Sequence, residues 1–251
     1  MTLESIVRQS MQPTRTFVYL SEEPHLIDEG FKDKRVVYGP LLAFLERYSD
    51  SVCVKFVPNE GPFRKLLPLL KDKWDEDCII ITIDDDTYYH PDLVKNLVTD
   101  YYEQDCVINY RGFTPDISDI RELTYEKRAT SLEKRHPYNF PTGKGGVLYC
   151  PKFFHKTGEV IFNRDIYLKT CRTADDVWFM LLRVLNGVDC YLDNKVYMLK
   201  DNTNAKNALF LNYNHDLNNT IQIANTLAGL EKCGHSAEGV SKSSGKGFVP
   251  Y

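Results

Sequence analysis

A short apolar run that ends in three aspartates constrains this chain more than any other feature. In Cys78-Ile79-Ile80-Ile81-Thr82-Ile83-Asp84-Asp85-Asp86-Thr87-Tyr88-Tyr89-His90-Pro91 the β-branched residues follow one another without polar alternation. That is how a strand buried on both faces reads, and such strands belong to sheets covered by helices. Pro91 is tolerated in a first helical turn, so a helix is expected directly after the aspartates. Carboxylates just past the C-terminal end of a buried strand lie where open α/β sheets hold ligands. Three together are costly, because two unit charges about 4 Å apart repel by roughly 4 kcal/mol at an effective dielectric of 20. A divalent cation reverses that sign, and an all-oxygen site suits magnesium, manganese or calcium. Isolated aspartates serve as turn and cap residues; a triplet at a buried strand end points instead to a metal.

The rest of the first half supports a sheet of this kind. Residues 2–10 carry Leu3, Ile6 and Val7 at helical spacing, and Thr16-Phe17-Val18-Tyr19-Leu20 reads as a strand. A helix is expected over 40–48 and a strand over 52–57, followed by the turn-rich Pro58-Asn59-Glu60-Gly61-Pro62. Residues 63–74 are helical in pattern with a break at Pro68, and a helix over 92–102 presents Leu93, Val94, Leu97, Val98 and Tyr101 on one side. Helix and strand alternate three times, the mark of a doubly wound, mostly parallel sheet.

The second half is less regular. A strand is expected over 106–110, then a long polar stretch from 111 to 141 with a short helix over 125–134. Loops of that length in compact domains are usually functional. A glycine-rich turn leads into a strand over 145–151, a helix over 175–185 stops at Asn186-Gly187, and strands over 188–192 and 196–199 complete the regular structure. Residues 236–247, rich in Ser, Gly and Lys, read as a flexible tail. The expected organisation is one domain over 1–235, with a nucleotide-binding half at 1–105 and an acceptor half at 106–235, and a tail at 236–251.

Composition narrows the class. The formal charge of −4 argues against a nucleic-acid partner. No apolar run reaches the ~18 residues of a membrane span, so no transmembrane segment is expected. The 7 cysteines are scattered and contain no C-x-x-C pair, which fits reduced thiols and a cytoplasmic location.

Four other groupings carry candidate chemistry. In an extended backbone Asp84 and Asp86 point to one side and Asp85 to the other, so one carboxylate can bind metal while its neighbour meets a sugar or ribose. Arg64-Lys65 follows the Gly61-Pro62 turn and can neutralise phosphate, although a surface cation pair is more often only solvating. Thr142-Gly143-Lys144-Gly145-Gly146 lacks Walker spacing and precedes a strand, so it suits close backbone approach to a ligand or an ordinary tight turn. Thr173-Ala174-Asp175-Asp176 opens a helix, where Thr173 can be the N-cap and the aspartates can complement the dipole. The same dipole keeps a carboxylate ionised, as a general base requires. His215, in Asn212-Tyr213-Asn214-His215, is a late candidate metal ligand.

In their order along the chain these motifs resemble a GT-A-fold glycosyltransferase of the D-x-D type, family-2-like, among the nucleotide-diphospho-sugar transferases. The resemblance is carried by Gly61-Pro62-Phe63-Arg64-Lys65-Leu66, Asp84-Asp85-Asp86, Pro141-Thr142-Gly143-Lys144-Gly145-Gly146-Val147-Leu148-Tyr149 and Thr173-Ala174-Asp175-Asp176-Val177-Trp178. It implies a Rossmann-type α/β fold with a mixed, mostly parallel sheet flanked by helices. It also implies an enzyme, hexosyltransferase-like, that moves a sugar from a nucleotide-diphospho-sugar such as a UDP-sugar to a glycan or other hydroxyl acceptor with inversion. By that resemblance Asp86 contacts Mn²⁺ or Mg²⁺, Asp84 the ribose or metal-bound water, and Asp85 and Lys65 the donor. Gly145 and Gly146 line the donor-sugar and acceptor pocket. One of Asp175 and Asp176 is the base, with Asp175 taking that role and Asp176 orienting it. Members of the class open on a strand that helps hold the nucleotide base, whereas this sequence opens on a helix, so that strand is expected to be missing. The competing expectation is an inactive sugar-nucleotide- or glycan-binding domain on the same fold.

Overall fold

The computed structural model describes residues 2–26, 28–35, 39–195, 197–201, 210–214 and 217–236. The first unit is a helix–strand alternation: α1 (Thr2–Ile6), β1 (Thr16–Leu20), α2 (Gly39–Arg47) and β2 (Val52–Phe56). Parallel strands need a crossover, and α2 supplies it. β1 and β2 pair in parallel from Thr16 opposite Val52 to Leu20 opposite Phe56. Pro68 does interrupt the helical pattern that follows, since proline lacks the N–H that a continuing helix needs. Gly61–Lys65 forms a 3-10 turn, and α3 (Leu67–Asp72) starts afresh with Pro68 in its first turn.

β3 (Ile80–Thr82) is shorter than the apolar run that encodes it, and β4 (Thr87–Tyr89) follows it before α4 (Leu93–Gln104). The aspartate triplet therefore sits in a turn between two strands and not at a direct strand-to-helix junction. β4 had no clear pattern of its own; it exists because Tyr89 and Thr87 pair with a late strand. The chain continues through β5 (Val107–Asn109), β6 (Gly112–Phe113), β7 (Arg135–His136), β8 (Phe140–Pro141) and β9 (Val147–Tyr149). Then come α5 (Gly158–Ile161), α6 (Arg164–Thr170), α7 (Asp175–Leu185), β10 (Cys190–Leu192), β11 (Met198–Asp201) and α8 (Asn218–Lys232).

The fold is α/β, a mixed sheet flanked by helices. The largest sheet has the order β3-β9-β5-β10-β7, while β1-β2, β11-β4 and β6-β8 form two-stranded ladders. β5 and β10 are parallel; β9 runs antiparallel between β3 and β5, and β7 antiparallel to β10. Because β9 reverses between them, β3 and β5 point the same way. Their C-terminal ends share one edge of the sheet, and Asp84 and Asn109 lie there.

α7 binds the sheet to the helices. Trp178 is fully buried and donates its Nε1–H to Ile161 O at 3.1 Å. Arg183 is buried on the same helix, where its guanidinium donates to the carbonyls of Pro137, Val188 and Asn139 at 2.6–2.8 Å. Those carbonyls compensate a cation that could not otherwise stay in the core.

Three expectations are corrected. Residues 125–134 are not helical; a short 3-10 turn forms earlier, at Ile120–Glu122. Side-chain stacking holds the loop instead, with the Arg128 guanidinium 4.3 Å from the Phe113 ring centre and 5.1 Å from that of Tyr125. The two late strands do not complete the regular structure, because α8 follows them and buries Ile223, Thr226 and Leu230. Its Asn- and Thr-rich start masks the helical spacing of those residues. α5 and α6 were also not foreseen. The expected tail from 237 onward lies outside the described residues.

Trp178→Ala should lower the unfolding free energy by about 3–5 kcal/mol, because it leaves a large cavity and an unpaired Ile161 carbonyl. A urea titration gives this as a lower midpoint; a loss under about 1 kcal/mol would mean that α7 is not the centre of the core.

Candidate active site

The edge formed by the ends of β3 and β5 is closed from above by the 142–146 turn and from the side by the start of α7. Asn109, fully buried, knits the turn to β5: its Nδ2 donates to Gly146 O at 2.7 Å and its Oδ1 accepts from Arg111 N at 3.0 Å. Tyr89 ties the turn to the triplet, since its hydroxyl accepts from Asp84 N at 3.1 Å and donates to Lys144 O at 3.2 Å. A continuous cleft of about 2770 Å³ runs along this edge.

At its centre lies the Lys65 ammonium. It donates to Asp84 Oδ1 at 3.0 Å and pairs with Asp175 Oδ2 at 3.1 Å. The second contact is an ion pair without hydrogen-bond alignment, so that oxygen has no aligned donor. Gly143 makes room for the cluster. A Cβ there would stand 2.5 Å from Lys65 Nζ, 3.2 Å from Asp84 Oδ1 and 3.4 Å from Asp176 Oδ1. A side chain at 143 would have to displace the Lys65 ammonium, so glycine there leaves room for the charged cluster.

Burial works against the Lys65 charge, but Asp175, Asp84 and Asp176 outweigh it and hold the ammonium well above the usual lysine range. Asp175 is only 5% exposed. Burial pushes its carboxyl up to about 7; Lys65 opposes that rise while Asp176 and Asp84 add to it. Asp176 is raised by the same burial, with Lys65 again opposing. It is half-buried, and its Oδ2 accepts from Gly143 N at 3.3 Å.

Thr173 is not the N-cap of α7. The cap position is Ala174, without a side-chain bond, and Thr173 reaches Asn214 at 2.5 Å and Gln222 of α8 at 3.0 Å. The first turn of α7 therefore carries Asp175 and Asp176 at an uncapped, positive helix end.

Asp86 lies 3.7 Å from Lys144 Nζ and accepts from Thr87 Oγ1 at 3.1 Å. Asp84 and Asp86 are both about one-third exposed on the cleft, at 31% and 32%. Asp85 is exposed at the cleft wall, and its backbone carbonyl accepts from Thr2 Oγ1 at 2.6 Å. Of the residues singled out in the sequence, Lys65, Asp84, Asp175 and Asp176 lie together, and Asp86 lines the same cleft beside Lys144. Gly145 and Gly146 sit behind the turn. A Cβ on Gly145 would meet Arg111 at 2.5 Å, and Gly146 has φ +76 and backs onto Leu93. Thr142, Gly143 and Lys144 are the turn residues that line the cleft. All three belong to the Thr142-to-Gly146 motif, whereas Asn109, Arg111 and Tyr89 carry no motif of their own and reach the turn only through the fold. His215 lies outside the described residues.

Asp84 and Asp86 offer hard carboxylate oxygens, yet among the described residues no three His, Cys, Asp or Glu side chains are grouped to hold an ion alone. That suits Mg²⁺ or Mn²⁺, which take one or two carboxylates and complete their shell with water and phosphate oxygens. The residues fit such an ion.

No protein-family model and no curated protein matches the chain. Among solved structures it is similar to the crystal structure of S. aureus TarS 1-349, at 15% identity and a TM-score of 0.46. The match covers 78% of this chain and 54% of that one, so this chain spans about half the length of that neighbour. Among the described residues no helix is long and apolar enough to cross a membrane.

The raised Asp175 makes stability depend on pH with a definite sign. Held near 7 when folded, against about 3.9 unfolded, it binds more protons in the folded state between those values. Its contribution to stability therefore falls as pH rises from about 4 to about 7 and is flat above. Asp175→Asn should remove that slope and raise stability at pH 8 relative to the parent protein. Urea midpoints for both proteins at pH 5 and 8 check this; parallel shifts would rule out the raised carboxyl.

Proposed function

We propose that the protein is a metal-dependent glycosyltransferase that moves a sugar from a nucleotide-diphospho-sugar, such as a UDP-sugar, to a hydroxyl acceptor with inversion. The observation that carries this reading is one open cleft in which Lys65, Asp84 and Asp176 gather around Gly143, Asp175 pairs with Lys65, and Asp86 lies beside Lys144. Two carboxylate groups with different exposures and a half-buried cation between them suit a reaction that separates a leaving diphosphate from a proton.

Asp84 and Asp86 would hold Mg²⁺ or Mn²⁺, which neutralises the charge on a departing diphosphate. Lys65 adds a second positive charge beside that position. On the far side of the turn Arg111, Tyr125 and Arg128 line the cleft, and the Arg128–Phe113–Tyr125 stack offers an acceptor a flat wall. The acceptor oxygen attacks the anomeric carbon, the bond to the phosphate oxygen breaks with its electron pair, and the acceptor proton passes to a carboxylate.

We assign that carboxylate to Asp176. It is half-buried and lines the cleft, while Asp175 is almost wholly enclosed and faces Lys65. A base must lie within hydrogen-bond reach of the hydroxyl it deprotonates. Asp175 then positions Lys65, which reverses the roles expected from the resemblance.

The test is transfer and hydrolysis of a panel of UDP- and GDP-sugars with Mn²⁺. Asp86→Ala should abolish metal-stimulated turnover. Asp176→Asn should lower transfer by about 10²–10⁴-fold with donor affinity unchanged, and Asp175→Asn should cost less. Full transfer by Asp176→Asn would move the base elsewhere. Donor binding without turnover by the parent protein would favour an inactive sugar-nucleotide-binding domain.

A further inference from the structure

Arg111, Tyr125, Arg128 and Asn219 share the cleft with Asp176 and come from three parts of the chain: the end of β5, the loop after β6 and the first turn of α8. Loop and helix are joined where Tyr125 N donates to Thr220 Oγ1 at 2.9 Å. The Tyr125 ring meets those of Phe113 and Phe140 edge-on, with centres 5.3 and 5.6 Å apart. Its hydroxyl lies within the field of the whole group: burial raises its pKa, Asp176 pushes the same way, and Arg128 and Arg111 oppose them. Burial raises the Asp176 carboxyl too, and Lys65 and Arg111 oppose that rise.

Both guanidinium groups are fixed in place without being neutralised. Arg111 donates through one terminal nitrogen to Thr142 Oγ1 at 2.7 Å, which leaves its other donors available. Arg128 donates through Nε to Tyr125 O at 3.2 Å, and its guanidinium carbon lies 4.3 Å from the Phe113 ring centre. Among the described residues Arg64, Arg121, Arg135 and Arg164 pair with carboxylates, whereas Arg111 and Arg128 do not. Glu126, two residues from Arg128, accepts from Thr220 Oγ1 instead. An exposed arginine is usually only solvated. These two are held by a hydrogen bond, and Arg128 also by rings, so less freedom is lost when they bind a ligand. Asn219 is a second, independent sign of a ligand. It is only 6% exposed, and among the described residues its Oδ1 has no partner. A buried oxygen of this kind calls for a donor such as a hydroxyl.

We propose that the acceptor is anionic: a hydroxylated molecule carrying a phosphate or a carboxylate, with its oxyanion held by Arg111 and Arg128 and a hydroxyl donating to Asn219. Guanidinium groups recognise both oxyanions through paired N–H donors, and such charge-assisted bonds are about twice as strong as neutral ones. A neutral glycan would leave both cations without a counter-charge beside the carboxylate that takes the proton. Naming this ligand the acceptor rests on the transferase reading; the oxyanion site itself does not.

The test is calorimetric binding to the full chain at fixed ionic strength. Glycerol phosphate and methyl glucuronide are the anionic probes, and glycerol and methyl glucoside are their uncharged matches. At least one anion should bind about tenfold more tightly than its match, and which one does so separates phosphate from carboxylate. Arg111→Gln and Arg128→Gln should each lose about tenfold in that affinity, and binding should persist with saturating UDP and Mg²⁺. Three outcomes overturn the proposal. Neither anion binds the parent protein more tightly than its match, a comparison that needs no variant to fold; or both substitutions leave the affinity unchanged; or UDP abolishes binding, which would give the arginines to the donor diphosphate. None of these readouts needs turnover. A protein that binds the anion and transfers nothing fails the transferase reading alone, and one that transfers only to neutral acceptors fails this proposal alone.

Discussion

The Lys65 ammonium and the carboxylates around it are the interaction on which the site depends. The chain brings Asp84 from the end of β3, Asp175 and Asp176 from the start of α7 and Lys65 from the turn before α3 to one point. Any two of those carboxylates about 4 Å apart would repel by roughly 4 kcal/mol at an effective dielectric of 20. The half-buried lysine offsets that repulsion, so it is loss of the lysine, rather than of one carboxylate, that would leave like charges uncompensated. The cluster therefore holds the end of β3, α7 and the Gly61–Lys65 turn in one geometry before any ligand arrives.

The rest of the fold serves that meeting point. β9 reverses direction between β3 and β5, which puts the ends of β3 and β5 on one edge. Asn109 and Tyr89 spend their polar atoms on the 142–146 turn and so hold Gly143 against Lys65. α7 is rigid because Trp178 and Arg183 fix its buried side, and its free end presents the two aspartates.

Elements with a strong local signal were readable from residues alone. α7 spans 175–185 as expected because apolar spacing, acidic first turn and Asn186-Gly187 stop all agree. The β3 run and the Pro68 break were legible for the same reason. Elements made by long-range pairing were not: β4 depends on β11, and the Arg128 stack on Phe113 replaces a helix that local pattern favoured. In the site, charged residues stand out by type and order, which is why Lys65, Asp84, Asp86, Asp175 and Asp176, all on the cleft, could be singled out from the sequence. Gly145 and Gly146 are the glycines that the turn's backbone itself requires, through the approach of Arg111 and a φ of +76, whereas Gly143 is the one that meets the lysine and the carboxylates, which only their positions reveal. Likewise the exposures of Asp175 and Asp176 differ through packing against Lys65, which no spacing encodes.

On the proposed function, Asp84 and Asp86 would form half of a metal site that a nucleoside diphosphate completes. Electron paramagnetic resonance of free Mn²⁺, titrated with the protein in the presence and absence of UDP and of GDP, tests it without any acceptor. The expected result is tight Mn²⁺ uptake only with a nucleoside diphosphate present, lost in Asp86→Ala and kept in Asp176→Asn. Uptake that needs no diphosphate, or that survives Asp86→Ala, would contradict the account.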